Sequence, residues 1–306
     1  MTRPFAAGWE TGGVTFRSGF CCFVGRPNAG KSTLTNALVG SKIVITSDKP
    51  QTTRHAVRGI RNQADGQLVL VDTPGLHRPR TLLGQRLNDV VRATLAEVDV
   101  VGFCVPADER VGPGDRYIAA ELAGLRATAV AIVTKIDAAP RARVAEQLAA
   151  VAGLGDFAEV VPVSAVAGEQ VGLLADLLVA LLPEGPQLYP EDVTTDNDED
   201  TRIAELIREA ALDGVRDELP HSIAVTVEEQ RRRTSGLLEV FATLHLERDS
   251  QKGIVIGHQG ERLKRIGSTA RAGIEQLVGE RVHLDLHVAV QRDWQRDPKK
   301  LDRLGF

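Results

Sequence analysis

The stretch Gly25-Arg26-Pro27-Asn28-Ala29-Gly30-Lys31-Ser32 constrains this chain more than any other. It fits G-x-x-x-x-G-K-[ST], the spacing with which a glycine loop wraps a phosphate chain. Phe20-Cys21-Cys22-Phe23-Val24 before it reads as a buried strand, and Thr33 to Val39 after it as a helix. In that order the loop N–H groups and the helix N-terminus face one point, where an anion is stabilised. Gly25 and Gly30 permit backbone angles that a side chain forbids. Lys31 then reaches the β- and γ-phosphates, and the Ser32 hydroxyl binds Mg²⁺.

The surrounding pattern is α/β. From residue 18 to about 183, short apolar runs alternate with amphipathic segments. Leu68-Val69-Leu70-Val71, Val100 to Val105 and Ala129 to Val133 read as parallel strands buried on both faces. Segments 83–96, 114–124, 140–152 and 170–182 read as helices. The expected fold is a doubly wound parallel sheet, with ligand beyond the carboxyl ends of the strands. Asp72-Thr73-Pro74-Gly75 adjoins one such end. There a carboxylate holds Mg²⁺ through water, and the Gly75 N–H meets the γ-phosphate. Thr134-Lys135-Ile136-Asp137 follows another. Asp137 can accept the adjacent N1–H and N2–H₂ donors of guanine, a pair adenine lacks, while the Lys135 stem lies over the base. Ser164-Ala165, after Val160 to Val163, can offer a backbone N–H to the guanine O6.

A length of 306 residues leaves room for about two domains. The net charge of −4 excludes a globally basic nucleic-acid binder, so a basic site must be local. Cys21, Cys22 and Cys104 give neither a disulfide framework nor zinc spacing. They read as buried strand thiols in a reducing compartment. No apolar run approaches the ~20 residues of a membrane span, and the first eighteen residues do not read as a secretion signal. The reading is a cytoplasmic protein with an extension at 1–17, a first domain at 18–183, a linker at 184–200 and a second domain at 201–306. Six acidic and no basic residues between Glu191 and Asp200 predict an extended, solvated linker.

The second domain reads as helix (201–219), strands (223–227, 238–246), glycine loop, helix (261–278) and strand (282–288), a small α+β unit. Gly257-His258-Gln259-Gly260 precedes its long helix, with Lys252, Arg262, Lys264, Arg265 and Arg271 around it. From Ser250 onward there are 11 basic against 7 acidic residues. Two glycines let a backbone approach a single nucleic-acid strand, and the basic excess is its electrostatic footprint. His283, Asp285 and His287 share a strand face, which reads as polar surface ahead of a metal site. Trp294, among Arg292, Arg296, Lys299 and Lys300, either extends an RNA track by stacking or pins the tail.

Gln51-Thr52-Thr53-Arg54-His55, Asp72-Thr73-Pro74-Gly75-Leu76-His77 and Glu218-Leu219-Pro220-His221-Ser222 resemble the Era family, translation-factor-class small GTPases with a C-terminal type II KH domain. The resemblance runs from residue 18 onward. It implies GTP/GDP and Mg²⁺ as cofactors, and slow hydrolysis of GTP. Lys31, Thr53 and Gly75 are implied as catalytic, and Ser32, Thr53 and Asp72 as metal-holding, with Thr52 the lesser switch candidate. The implied nucleotide contacts are residues 25–33 (Thr33 included), 72–75, Thr134, Lys135, Asp137, Ser164 and Ala165. Segments 42–58 and 73–90 become switches that order with GTP. Lys252, Gly257, His258, Gln259, Gly260, Arg262, Lys264 and Arg265 are implied to bind the 3′ end region of small-subunit ribosomal RNA during 30S assembly. A monomer is implied, with membrane contact at most peripheral.

Three departures carry expectations: Leu76 and Thr134 from the common GTPase pattern, the first shared by Era relatives and so compatible with hydrolysis, and His258 from the Era pattern. Leu76 stands where many GTPases have glutamine, which predicts slow intrinsic turnover. Thr134 replaces asparagine, which predicts weaker nucleotide binding with guanine preference kept. His258 replaces lysine; histidine is mostly neutral at pH 7, so RNA affinity should be lower and rise in mild acid. The rival readings are a related GTPase acting on another RNA, such as transfer RNA, and a nucleotide-gated protein or membrane adaptor without RNA.

Overall fold

The computed structural model describes residues 15–47, 49, 52–75, 81–215 and 219–306. Gln51, Leu76, His77, Glu218 and most of the N-terminal extension lie outside them, as does much of segment 73–90 before Thr81.

Among the described residues the first sheet has six strands: β1 (Arg17–Val24), β2 (Val57–Gln63), β3 (Gly66–Asp72), β4 (Val100–Pro106), β5 (Thr128–Thr134) and β6 (Glu159–Pro162). Their order is β2-β3-β1-β4-β5-β6. All neighbours pair in parallel except β2, which runs antiparallel to β3 at the edge. This edge strand was not anticipated. Its sequence, VRGIRNQ, mixes buried Val57, Gly59 and Ile60 with arginines and amides and has no apolar run.

Period-two alternation splits the core between the two faces. Cys21 and Phe23 face α1 (Lys31–Val39) and α5 (Val171–Ala180). Cys22 and Val24 face α2 (Leu82–Glu97), α3 (Pro113–Leu122) and α4 (Arg141–Ala152). The adjacent cysteines therefore serve different halves of the core. All three thiols are free and buried. Burial pushes Cys22 and Cys104 up to about 12.

The linker is extended as expected, yet it is not a free tether. Gln67 receives the Leu188 and Tyr189 amides at 2.7 and 2.8 Å. Ile60 N–H donates to the Thr194 carbonyl at 2.9 Å, and Gly59 bridges to Thr195. The chain between the domains thus lies along the open edge of β2, covering groups an edge strand leaves unpaired.

The second unit begins with α6 (Glu199–Leu212), two residues before the expected start, because Asp198 caps it: its carboxylate accepts the Thr201 N–H at 2.8 Å. It ends at Leu212, and Gly214 turns away at φ 66°. β7 (Ala224–Arg232) pairs antiparallel with β8 (Leu238–Leu246), and β8 pairs in parallel with β9 (Val282–Val290). α7 (Asp249–Ile256), a helix not anticipated, and α8 (Glu261–Val278) lie between β8 and β9. Ile203, Ile207 and Ala211 of α6 and Ile266, Ala270 and Ile274 of α8 bury against Val240, Ala242 and Leu244 of β8. Ile45, from the first domain, joins this same core.

The chain after β9 settles the Trp294 alternatives toward pinning. Trp294 is fully buried and stacks on Phe306 with centroids 5.6 Å apart. With Leu301 and Leu304 of the tail, which includes α9 (Pro298–Arg303), it packs against Leu83 and Leu87 of α2. No helix among the described residues is long and apolar enough to cross a membrane.

Candidate nucleotide and RNA sites

The loop 25–30 is closed by its own geometry. Gly30 at φ 84° caps α1, and Asn28 also lies in the left-handed region, at φ 63°. At Gly25 a Cβ would sit 2.5 Å from the Cys104 carbonyl oxygen, so the strand-to-loop approach needs glycine. Arg26 turns away from the cradle: its Nε donates to the buried Asp115 of α3 at 2.8 Å, and Nη2 pairs with Glu109 at 3.0 Å. It ties the loop to its neighbour.

Lys31 folds back over the loop, its Nζ donating to the carbonyls of Gly25 at 3.1 Å and Arg26 at 3.0 Å. Gly75 lies beside it: a Cβ there would be 3.4 Å from that Nζ. Burial pulls the Lys31 ammonium down, against the field of Asp72. Three oxygens meet next to it. Ser32 Oγ and Thr53 Oγ1 donate to Asp72 Oδ2 at 3.0 and 2.8 Å and lie 3.0 Å from each other. Asp72 is fully buried, and burial pushes its carboxyl up against the Thr53 hydrogen bond and the Lys31 charge. Among the described residues its Oδ1 has no hydrogen-bond partner; nearby Thr35 gives its hydroxyl to the Lys31 carbonyl at 3.1 Å. A buried carboxylate with one orphaned oxygen, flanked by two hydroxyls, is a hard-oxygen set that fits Mg²⁺.

At the far end of the site, Ser164 Oγ donates to Asp137 Oδ1 at 2.6 Å and fixes the carboxylate that faces out. The Ser164 N–H is already used by the Glu169 carbonyl at 3.1 Å, which leaves Ala165 as the backbone donor for a guanine oxygen. Thr134 Oγ1 donates to the Ala29 carbonyl at 2.8 Å. The shorter residue therefore keeps the bond from β5 to the phosphate loop and lacks only the reach toward a base. Lys135, at φ 55°, leans toward Asp108 at 3.8 Å. Thr73 is fully buried, its hydroxyl donating to the Phe23 carbonyl at 3.5 Å.

The phosphate end of the site opens on a cavity of about 340 Å³ lined by Pro27, Asn28, Lys31, Ser32, Thr33 and Thr53, with Lys135 but not Asp137 or Ser164 on its wall. Thr46, Ser47, Lys49 and Glu109 also line it. Sequence reasoning did not name them as contacts, because no motif marks them; only the path of segment 42–58 brings the first three there.

The glycine loop of the second unit is open. Gly257 sits at φ 74°, Gln259 at 48° and Gly260 at 79°. A Cβ on Gly257 would lie 2.7 Å from that of Arg262. Lys252, His258, Gln259, Lys264 and Arg265 are exposed. Arg262 is partly withdrawn, with Nη2 donating to the Asp213 carbonyl at 2.8 Å. Beside the loop a groove of about 470 Å³ runs between α8 and β9, lined by Gly260, Lys264, Gly267, Arg271 and His283 with apolar floor residues. Gly267 and His283 had no signal as groove residues; their place depends on α8 crossing β9. His283, Asp285 and His287 are exposed along β9, and among the described residues no three His, Cys, Asp or Glu side chains gather as a metal site.

Residues 20–135 match a family model described as a 50S ribosome-binding GTPase, and residues 218–295 match a KH domain model. GTPase Era of Streptomyces coelicolor is 63% identical over 308 aligned residues, covering 97% of each chain. GTPase Era of a Nocardioides species is 64% identical, covering 95% of this chain and 96% of its own. A crystal structure of Era with MgGDPNP and nucleotides 1506–1542 of 16S ribosomal RNA superposes with TM-score 0.91 at 34% identity, covering 95% of this chain and 99% of that one. A variant of Aquifex aeolicus Era bound to GDP·AlF4⁻ gives TM-score 0.91 at 35% identity, covering 94% and 99%. With a phosphate loop and a KH glycine loop on one chain, and identity of this order over nearly its whole length, the protein belongs to the Era family of GTPases.

Proposed function

We propose that this protein binds Mg²⁺–GTP in its first domain, hydrolyses it slowly, and binds the 3′ end region of 16S ribosomal RNA through its KH loop during 30S subunit assembly. The division is 18–183 for the GTPase domain, 184–200 for the linker and 201–306 for the KH domain and tail. The observation that carries the reading is the convergence of Ser32, Thr53 and Asp72 beside Lys31, on a chain whose other end holds an open basic glycine loop. Ser32, Thr53 and Asp72 would hold Mg²⁺, which supplies charge neutralisation at the phosphates. Lys31 and the loop amides bind the phosphate chain, Gly75 offers its N–H to the γ-phosphate, and Asp137, oriented by Ser164, selects guanine. Lys252, Lys264 and Arg265 attract the RNA backbone, and Gly257 and Gly260 let it approach. The groove beside the loop receives bases. The protein works as a monomer in the cytoplasm, with membrane contact at most peripheral; sedimentation with anionic vesicles checks the last point.

The test is a titration with RNA matching the organism's own 16S 3′ end, in GDP and in a non-hydrolysable GTP analogue, with wild type and Gly257→Asp. Tight binding that needs the analogue and is lost in the variant is expected. Binding indifferent to nucleotide and variant leaves the GTPase and overturns the RNA reading. The description of the GTPase model favours one alternative, the large subunit. Co-sedimentation of analogue-loaded protein with 50S rather than 30S particles would establish it.

A further inference from the structure

Thr53 is gripped by the second domain from both sides. Before it, Arg208 of α6 donates to the Thr52 carbonyl. After it, Arg54 leaves the first domain entirely. Its Nη1 donates to the Ile223 carbonyl at 2.6 Å, and its Nη2 to the carbonyls of Pro220 at 3.1 Å and His221 at 2.9 Å. Both guanidinium-bearing residues are 2% exposed. Glu205 orients Arg208 through bonds of 2.8 and 2.6 Å. The rings of Trp294 and Phe306 back Arg54 at 5.7 and 5.8 Å, and His55 stacks on Phe306 at 5.0 Å. Burial, with Arg208 beside it, pulls Arg54 down to about 9 against the field of Glu205, so it stays charged at neutral pH.

The segment leading to Thr53 is held by the same helix. Thr46 N–H and Lys42 Nζ donate to the two oxygens of Glu209 at 3.0 and 2.5 Å, and Ile45 buries in the second domain's core. Between these anchors the Thr53 hydroxyl reaches Asp72 at 2.8 Å. A reacting group displaced by ~1 Å can lose ~100-fold in rate, so what fixes the backbone on either side of Thr53 bears on turnover.

We propose that Arg54 and Arg208 are positioning residues for Thr53, so that the KH domain completes the γ-phosphate-sensing half of the GTPase site. The inference rests on the reading of Thr53 as the residue that meets Mg²⁺ and the γ-phosphate. Thr53 of this kind contributes to the GTP complex and little to the GDP complex. Loss of its supports must therefore act on one nucleotide and spare the other.

The test uses the full chain. Affinities for GDP and for a non-hydrolysable GTP analogue, and single-turnover hydrolysis, are measured for wild type, Thr53→Ala, Arg54→Ala, Arg208→Ala, Arg208→Lys and Phe306→Ala, with thermal melts in GDP. Arg54→Ala and Arg208→Ala should lose about tenfold or more in analogue affinity and hydrolysis while GDP affinity stays within about twofold. Arg208→Lys, which keeps charge and reach to Thr52, should recover part of the loss. Phe306→Ala, which removes one wall from Arg54 without unpairing a charge, should act in the same direction and less; it decides the matter if Arg54→Ala does not fold. Unchanged analogue affinity and hydrolysis in the arginine variants, beside a damaged Thr53→Ala, would overturn the proposal. So would GDP affinity falling in step with analogue affinity, the mark of a merely structural role. An unaffected Thr53→Ala protein overturns the underlying reading of Thr53 instead, and with it the need for supports.

Discussion

The two glycine loops of this chain use the same backbone device for opposite ends. Both turn through positive φ and hand over to a helix N-terminus. The loop before α1 closes on itself: Lys31 is 7% exposed and bonded to loop carbonyls, and Asp72 is wholly buried. The loop before α8 stays open, with His258, Gln259, Lys264 and Arg265 in solvent. An enclosed site acts through fixed dipoles and charges in a weakly screening medium, and its selectivity lies in exact donor placement. An open basic site gains affinity by displacing counterions and tolerates variation in any one side chain. One loop is therefore expected to be fragile to chemistry and insensitive to salt, and the other the reverse.

The strongest way to break this contrast is Asp72→Asn, which removes the buried charge shared by Ser32 and Thr53. Loss of at least about 100-fold in Mg²⁺-dependent hydrolysis is expected, as for other preorganised charge-stabilising groups, read by phosphate release. RNA affinity in the GDP state should not change. Next is Gly257→Ala: the strained backbone and the 2.7 Å approach to the Arg262 Cβ must relax. Strain of about 1–3 kcal/mol corresponds to roughly 5- to 150-fold weaker RNA binding, checked by filter binding, with GDP affinity unchanged.

Salt separates the loops without mutation. RNA binding should fall on a log–log plot with a slope of roughly −0.7 per neutralised phosphate of a single strand, while nucleotide affinity stays nearly flat. Thr134→Asn sharpens the enclosed side, since it adds the amide reach that the Thr134 hydroxyl lacks. One further hydrogen bond, about 1 kcal/mol, should tighten GDP binding several-fold by calorimetry.

The smallest effect is at the seam between the loops. Burial pulls the His55 ring below its ordinary range. The folded chain then binds fewer protons than the unfolded one just below ~6.5, so stability from this group is full above that pH and falls as pH drops through it. Thermal melts from pH 7.5 to 5.5 should show a modest decline that His55→Phe reduces.

Much of the candidate nucleotide site was legible because its motifs are local in sequence. Gly25 to Ser32, Asp72 to Gly75 and Thr134 to Asp137 each lie within a few residues of a strand end. Of the Ser164-Ala165 pair, read as offering a backbone N–H, Ser164 is engaged elsewhere. Its amide is taken by Glu169, a turn closure no motif marks, and its hydroxyl holds Asp137 instead. β2 escaped notice because an edge strand with one wet face lacks a continuous apolar run, and α7 because its eight residues blend into the glycine loop that follows. The grip of Pro220, His221 and Ile223 on Arg54 spans more than 160 residues and uses backbone carbonyls, which side-chain patterns do not reveal. From its basic neighbours alone, Trp294 fitted a stacking platform for RNA and a pin for the tail equally well. Its burial depends on Leu83 and Leu87, far away in the chain.

The placement of the paired cysteines on opposite faces of β1 has a practical consequence. A thiol-reactive probe reaches neither Cys21 nor Cys22 until the helices on that side of the sheet part from it, and burial keeps the thiolate scarce. Alkylation of the native thiols therefore times the opening of the GTPase domain, Cys21 and Cys104 for one layer and Cys22 for the other. Labels placed on new surface cysteines can follow the KH domain while the native thiols stay silent.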